Sequence, residues 1–348
     1  MTAISRRHLL LSLPGLALAP RLAPHLFAQA GPQPLRVRAI NHIGIAVADA
    51  KRSVDFYQGL FGMPVRGRQG ATTLLQLGPG PQFMAIAPVA SGAPPSITHY
   101  CLGVEGFDVN RVMTALAANG VTKAEAVGAM KVHVAMRGPD MNGAKEGTPE
   151  INFGDPDGIV CQIQDAGYCG GGGPLGSVCA AAEPFPKKGL LALRDFSHLT
   201  IFSSDAQRSN KFFTDLCGFS IRSYQGPTAP TLAVGPTVEF LMFTGGGGPA
   251  RAGVPPRPAS INHACMNMDA FKPDDITKAL ETFGLKAREG ATGPVGPLRH
   301  YISMRMENRG GAPEGTPEYY FTDPDGLLMQ LQDVKYCGGG GYLGDVCK

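Results

Sequence analysis

The segment Gly147–Asp165, GTPEINFGDPDGIVCQIQD, returns in similar form as GTPEYYFTDPDGLLMQLQD at Gly315–Asp333. Two further pairs of segments precede it in the same order. NHIGIAVADAKRSVDFYQGLFG begins at Asn41 and matches SHLTIFSSDAQRSNKFFTDLCG, which begins at Ser197; SITHYCLGVEGF then matches SINHACMNMDAF. A fixed order of matching segments indicates an internal repeat, so the chain consists of two similar halves.

Each half is itself built from two copies of a smaller unit. His42 and His99 stand in short apolar strands, and a helix follows each strand. The first helix begins after Asp49, a good N-cap, and ends at Gly62, a good C-cap residue. Strand-like runs follow each helix. The sequence therefore predicts an α+β fold of four βαβββ units, in which each half is a cupped mixed β-sheet with helices outside.

The first residues have the pattern of an export signal. SRRHLLLSLPGLALAP contains Arg6 and Arg7, and AQA ends at Ala30. This order resembles a twin-arginine signal peptide, which predicts a periplasmic or secreted protein. The apolar run is too short to span a bilayer, and no later segment is a candidate span. The predicted divisions are a signal peptide at 1–30, a first module at 38–179, a linker at 180–193 and a second module at 194–348.

Charge and composition exclude some partners. The hydrophobic share is 43% and the charged share 17%, which is typical of a globular protein. The net charge is +3, and Arg6, Arg7 and Arg21 leave with the predicted signal. A nearly neutral mature chain indicates no nucleic-acid partner and no anionic membrane surface.

The repeated unit, the strand histidines and the DPDG turn before a last strand together resemble the vicinal oxygen chelate superfamily. This superfamily includes glyoxalases, bleomycin-resistance proteins, extradiol dioxygenases and fosfomycin-resistance enzymes. The resemblance covers residues 38–168 and 194–336. It implies two glyoxalase-like modules, but it does not define the reaction, because one fold hosts many functions.

Strand alternation selects the residues that face the inside of each predicted cup. Along INHIGIAV it turns Ile43 toward the helices and His42 away from them. Along SITHYCLGV it places His99 on the same face as Ile97. The predicted inner-face residues are His42, His99 and Gln162 in the first half, and His198, His263 and Gln330 in the second.

The resemblance implies that these histidines and a carboxylate on the last strand bind a divalent metal. Gln162 and Gln330 stand at the carboxylate position. Two imidazoles with a carboxylate suit non-haem Fe(II), whereas an amide oxygen leaves more positive charge at the site. The expected cofactor is a divalent metal such as Fe(II), Mn(II), Zn(II) or Ni(II).

Tyr320 is the predicted catalytic residue. It lies where ring-cleaving dioxygenases of this fold place a tyrosine, while the first half has Asn152 there. A phenol near a metal can orient substrate or transfer a proton, so we expect the second half to carry any catalysis. Glu239 is a candidate for a further ligand, although a solvent-exposed carboxylate at a sheet edge is the stronger expectation for it. Arg137 and Arg305 match between the halves and could meet an anionic substrate, but solvent-exposed positions are the stronger expectation for both.

Cysteine spacing predicts two disulfides. YCGGGGPLGSVC and YCGGGGYLGDVC end the two halves, and the pairs Cys169–Cys179 and Cys337–Cys347 would close equal short loops. The remaining cysteines are predicted to be buried thiols: Cys101, Cys161, Cys217 and Cys265.

Two functions remain open from the sequence. The first is an exported metalloenzyme, a ring-cleaving dioxygenase or a glyoxalase-type lyase, acting on a small oxygenated molecule. The second is a metal-free protein that binds or sequesters a small molecule. The histidines and Tyr320 favour the first, and the two glutamines favour the second. The sequence does not define the substrate, the metal or the oligomeric state.

Overall fold

Each half of the chain forms one nine-stranded mixed sheet. The computed structural model describes residues 33–245, 258–291 and 294–347, and the predicted signal peptide lies outside them. From Pro34 onward the described chain is one compact unit. The predicted α+β fold of two glyoxalase-like modules is confirmed.

The elements of the first half follow the predicted order of strands and helices. They are β1 (Val37–Val47), α1 (Ala50–Phe61), β2 (Val65–Gln69), β3 (Thr72–Gln76), β4 (Phe83–Pro88), β5 (Ser96–Val104), α2 (Val109–Ala118), β6 (Thr122–Lys123), β7 (Lys131–Arg137), β8 (Thr148–Gly154) and β9 (Val160–Asp165). A single 3₁₀ turn, Pro139–Met141, precedes β8.

The second half repeats this order. Its elements are β10 (Phe196–Phe202), α3 (Ala206–Cys217), β11 (Ile221–Tyr224), β12 (Pro230–Ala233), β13 (Phe240–Thr244), β14 (Ser260–Met268), α4 (Pro273–Phe283), β15 (Lys286–Ala287), β16 (Arg299–Arg305), β17 (Thr316–Thr322) and β18 (Leu328–Asp333). A 3₁₀ turn at Glu307–Arg309 precedes β17.

The two sheets have the same strand order, β2-β3-β4-β1-β5-β9-β8-β7-β6 and β11-β12-β13-β10-β14-β18-β17-β16-β15. The central strands β1 and β5 are antiparallel, and each also pairs with a parallel strand, β4 or β9. The first unit of each half is βαβββ as predicted. The second unit has one additional two-residue strand, β6 or β15.

Helix α1 begins and ends where its sequence predicts. The Asp49 side chain accepts a hydrogen bond from the Arg52 amide at 3.0 Å, and Gly62 takes the left-handed conformation with φ 69°. Tyr57 and Phe61 are buried on the inner side of the helix. None of the described helices is long and apolar enough to cross a membrane.

The two halves are joined by reciprocal contacts. Asp325, in the DPDG turn of the second half, accepts hydrogen bonds from the Ala48 amide at 3.2 Å and the Arg52 guanidinium at 2.5 Å. Asp157, in the first half, does the same for the Ser204 amide at 2.9 Å and for Arg208 at 2.6 Å. Each turn therefore anchors the start of the first helix of the other half.

Aromatic packing extends the same exchange into one continuous core. The ring centroid of Phe56 on α1 lies 6.4 Å from that of Phe321 on β17. The ring centroid of Phe212 on α3 lies 6.0 Å from that of Phe153 on β8. One large cluster of buried apolar residues extends through both halves, and each half adds a small separate cluster around the tyrosine before its last cysteine pair. The halves consequently share a core instead of holding two separate ones.

Both predicted disulfides are present. Cys169–Cys179 closes the loop that we call the first clasp, and Cys337–Cys347 closes the second clasp. Gly171 and Gly339 lie too close to the opposite strand of their loops for a side chain, because a Cβ atom would stand 2.2 Å from the carbonyl oxygen of Val178 or Val346. The four other cysteines are buried free thiols, as predicted.

We expect Asp325→Ala to lower the free energy of unfolding by about 1–3 kcal/mol, because a carboxylate that is 5% exposed leaves its amide and guanidinium donors unpaired. Urea denaturation measures this change. The control Asp55→Ala breaks the Lys51–Asp55 pair, whose side chains are 84% and 60% exposed, and should change the unfolding free energy much less. Equal losses in the two variants would show that the anchor adds no stability.

Candidate functional site

The concave face of the first sheet encloses a cavity of about 190 Å³. We call it the first cup. Five of its lining side chains carry the chemistry: His42 from β1, His99 from β5, Glu150 and Asn152 from β8, and Gln162 from β9. The three residues predicted for this half are thus brought together around one cavity.

A β-bulge corrects the predicted alternation of β5. Gly44 pairs with His99, but the next residue of β1, Ile45, pairs with Ile97, so β5 holds one extra residue. Ile97 therefore packs in the core and not beside His99, while Thr98 and His99 both line the cavity. A β-bulge changes the direction of the following side chains in this way, because its extra residue is left out of the strand pairing.

Every cup histidine is held by the side chain of the residue before it, which sequence reasoning missed. The Nδ1 atoms are hydrogen-bonded in the pairs Asn41–His42 at 2.8 Å, Thr98–His99 at 2.9 Å, Ser197–His198 at 3.1 Å and Asn262–His263 at 2.7 Å. The feature of the sequence that could have predicted these hydrogen bonds is the polar residue directly before each histidine. Such partners fix the ring and its tautomer, as they do for metal-binding histidines.

The tautomer of His42 follows from its surroundings. Asn41 donates its amide to the Tyr168 carbonyl at 2.8 Å, so its Oδ1 is the atom that faces His42 Nδ1. His42 Nδ1 must then carry the proton, which leaves a lone pair on Nε2. Phe83 stacks on the His42 ring with centroids 4.3 Å apart and holds it in place.

The histidines are neutral near neutral pH. Burial lowers the pKa of His42 and of His198 well below the ordinary value, and the neighbouring histidine of each cup lowers it further. Burial also lowers the pKa of His99 and of His263 to about 4. Neutral imidazole is the form that binds a metal.

The second cup holds the equivalent residues of the second half. Nε2 of His198 lies 3.4 Å from Nε2 of His263. Both amide atoms of Gln330 are buried without a hydrogen-bond partner among the described residues. Two converging imidazole nitrogens beside an unpaired amide oxygen fit a divalent metal by position, although the set carries no negative charge.

Tyr320 stands on the wall of the second cup. Its ring meets His263 edge-on at 5.4 Å and stacks on Tyr301 at 5.0 Å. Its hydroxyl donates to Glu318 Oε2 at 3.2 Å. Burial, and then the Glu318 charge, raises the pKa of Tyr320 well above the ordinary value, so the phenol stays protonated.

Glu150 and Glu318 are the site residues that sequence reasoning missed. Glu150 Oε1 accepts from Arg137 Nε at 2.6 Å and from the Tyr168 hydroxyl at 2.9 Å. In the second half, Glu318 Oε1 accepts from Arg305 Nε at 2.8 Å and from the Tyr336 hydroxyl at 3.1 Å. The GTPE segment present in both halves was the available signal.

The expectation that both arginines are exposed is wrong. Arg137 is 7% exposed and Arg305 is fully buried. Besides its glutamate, Arg137 donates to the Gly171 carbonyl of the first clasp at 3.0 Å, and Arg305 donates to Gly339 at 2.9 Å. Each guanidinium thus ties a cup wall to a clasp.

Glu239 lies outside the second cup. It is 3% exposed and sits between the halves, where it accepts from the Ile40 amide at 2.5 Å and from Gln82 at 3.1 Å. Burial raises its pKa well above the ordinary value. Its position corrects both the expected solvent exposure and the idea of an added metal ligand, and gives Glu239 a role in joining the halves.

The cups differ in the size of their wall residues. The register of the two sheets aligns small residues of the first cup with larger ones of the second. The aligned pairs are Gly44 with Thr200, Ala46 with Phe202, Ala85 with Met242, and Asn152 with Tyr320. The first cup is therefore the more open of the two, while the expectation that the second half carries any catalysis stays a prediction.

Carboxylates do not complete a metal cluster in either cup. The described residues contain no group of three or more histidine, cysteine, aspartate or glutamate side chains placed to hold a metal ion. Gln162 and Gln330 stand where the resemblance implies a carboxylate ligand. The predicted ligand sets accordingly remain predictions.

Comparison with known proteins supports the architecture. The sequence model of the Glyoxalase/Bleomycin resistance protein/Dioxygenase superfamily matches residues 39–163. The first half therefore contains a domain of this superfamily. The second half repeats the strand order of the first. A search of curated proteins with the whole chain finds no significant match.

Three solved structures share the fold. The Mn(II)-bound glyoxalase from Novosphingobium aromaticivorans has a TM-score of 0.57 at 17% identity, covering 85% of this chain and 82% of that chain. A catechol 2,3-dioxygenase has a TM-score of 0.54 at 15% identity, covering 88% of this chain and 88% of that chain. Homoprotocatechuate 2,3-dioxygenase from Arthrobacter globiformis has a TM-score of 0.54 at 16% identity, covering 86% of this chain and 80% of that chain. At this identity the likeness concerns the fold alone.

The pKa of His263 predicts a pH-dependent stability. Because this pKa is lower in the folded protein than in the unfolded chain, the unfolded chain takes up the proton first as pH falls. Stability is therefore lost on acidification below the ordinary histidine pKa. Between about pH 7 and pH 5, chelator-treated protein should lose roughly 2 kcal/mol more unfolding free energy than the His263→Gln variant. Denaturation curves at both pH values measure this, and an equal pH dependence would contradict it.

Proposed function

We propose that the first cup holds a divalent metal through His42, His99 and Gln162 and that the protein is an enzyme acting on a small oxygenated molecule. One observation carries the proposal. Both imidazoles are neutral, their Nδ1 atoms are engaged by Asn41 and Thr98, and both rings line a cavity shared with Gln162. Outer partners of this kind orient metal ligands.

The reaction belongs to a dioxygenase-like or lyase-like type, with Fe(II), Mn(II), Zn(II) or Ni(II) as candidate metals. A bound metal supplies Lewis-acid chemistry, polarising substrate oxygens and stabilising negative charge. Gln162 adds no charge to the ligand set. Glu150 provides the carboxylate of the cup and can accept a hydrogen bond from substrate. Phe83 and Tyr168 cover the His42 ring and limit the access of water.

A metal-free binding protein is the second candidate. The observation that favours it is the amide at position 162, because a neutral oxygen binds a divalent cation less strongly than a carboxylate does. Glu150 cannot replace it freely, since its Oε1 is already bound by Arg137 and Tyr168. The two candidates differ in a measurable way, namely metal content.

Metal analysis of protein purified without chelator tests the proposal. We expect the wild type to contain divalent metal and His99→Ala to bind it at least about tenfold more weakly. Gln162→Glu should bind more tightly, because the added charge attracts the cation. His300→Gln is the control, since His300 lies outside both cups and contacts Tyr319.

Two results would count against a first-cup metal. A wild type that binds no metal, even after reconstitution, would support the metal-free function. A loss of metal in His263→Ala with none in His99→Ala would move the site to the second cup.

We also propose that the protein is exported through a twin-arginine signal. The two disulfides support this, because such bonds persist in oxidising compartments. Replacing Arg6 and Arg7 by lysine should leave uncleaved precursor in the cytoplasm, as cell fractionation would reveal. Unchanged export of that variant would contradict the signal assignment.

A further inference from the structure

The second cup contains an occupant supplied by its own chain. The phenol of Tyr320 reaches the cup carboxylate, since its hydroxyl donates to Glu318 Oε2 at 3.2 Å. Its ring meets His263 edge-on and lies flat on Tyr301. The phenol ring of Tyr320 thus makes three contacts: a hydrogen bond to a carboxylate, an edge contact with an imidazole and a stacking contact with an aromatic ring.

The first cup has the same surroundings without that ring. Glu150 Oε1 is bound by Arg137 and Tyr168, but Oε2 accepts no hydrogen bond from the described residues. Asn152, at the position of Tyr320, turns its amide to the Glu150 backbone carbonyl at 3.5 Å instead. The carboxylate oxygen that the second cup satisfies internally is left for a ligand in the first.

Strand register shows which ring neighbours of Tyr320 have an equivalent in the first half. Tyr301 pairs with Tyr320 across β16 and β17, and His133 pairs with Asn152 across β7 and β8. His99 occupies the position of His263 on the other side. The first cup therefore keeps one ring neighbour of Tyr320, the His99 imidazole, whereas His133 is not among the residues that line it.

Charge restricts the ligand further. The described residues that line the first cup include no lysine or arginine. The Arg137 guanidinium is occupied by Glu150 and by the carbonyls of Met141 and Gly171. In the metal-free cup an anionic ligand would meet a carboxylate with no free cation, which is unfavourable.

The cavity also limits size. Sites for drug-sized ligands have volumes of roughly 300–1,000 Å³. A cavity of about 190 Å³ holds a smaller molecule, on the scale of one ring.

From these observations we infer that the first cup binds an uncharged single-ring phenol, with its hydroxyl donated to Glu150 Oε2 and its ring edge against His99. The inference deepens the proposed function by naming the class of substrate, and it rests on that function only for the reaction. The binding itself requires Glu150 and the open position at Asn152, not a metal.

Exchanging the two equivalent residues tests the inference. Phenol is the probe, and its binding to chelator-treated protein is measured by ligand-observed NMR and calorimetry. The wild type should have one site. Asn152→Tyr should fill the first cup and raise the Kd at least about tenfold, whereas Tyr320→Asn should open the second cup and add a second site. Glu150→Gln should weaken binding while its fold is checked by circular dichroism.

The outcomes separate this inference from the proposed function. Failure of the wild type to bind phenol, undiminished binding by Asn152→Tyr, or equally tight binding of benzoate would overturn the inference. If Tyr320→Asn does not fold, the folded Asn152→Tyr protein still decides the question. Phenol binding by a protein that never takes up metal would leave the inference standing and refute the metalloenzyme.

Discussion

A buried ion pair between an arginine and a glutamate defines the wall of each cup. In the second half neither partner has significant access to solvent, and Arg305 Nε lies 2.8 Å from Glu318 Oε1. Such a pair is costly to bury and costly to break, because removing one partner leaves an unpaired charge in the interior. The remaining donors of the arginine reach the clasp, and the tyrosine before each clasp shares the same carboxylate. Sheet, clasp and cup are therefore fixed by one set of contacts.

The same pair explains how one scaffold supports two different cups. Because the arginine and the clasp tyrosine engage one carboxylate oxygen, the other oxygen is available in both halves. The residue two positions after the glutamate, Asn152 or Tyr320, then decides whether this oxygen accepts a hydrogen bond from within the protein. Tyr320 reaches Glu318 Oε2, whereas Asn152 is too short to reach the equivalent oxygen of Glu150. This side chain thus decides whether the cup carboxylate is satisfied from within, while the other aligned pairs add to the openness of the first cup.

Much of the architecture was accessible from the sequence, since repeats, caps and cysteine spacing depend on local or directly comparable residues. The start of α1 at Asp49 and the two disulfides are examples. The misplaced residues depend on distant partners. Ile97 left the cup because of a bulge that only strand pairing reveals. Arg137 is buried because the clasp covers it, and Glu239 is satisfied by donors from the other half. The openness of the first cup was accessible in part, since Gly44 and Ala46 leave room beside His42, whereas the contributions of Ala85 and Asn152 depend on strand pairing.

The reciprocal anchors between the halves have the form of a two-fold contact. Asp325 binds the start of α1 and Asp157 binds the start of α3, so each half offers the surface that it receives. Isologous contacts of this kind are those of a homodimer, in which both subunits carry the same residues. Joining the copies in one chain removes that identity constraint. One cup could then acquire a tyrosine and become a rigid structural partner, while the other kept its cavity. A symmetric dimer could not make that division of labour with a single substitution.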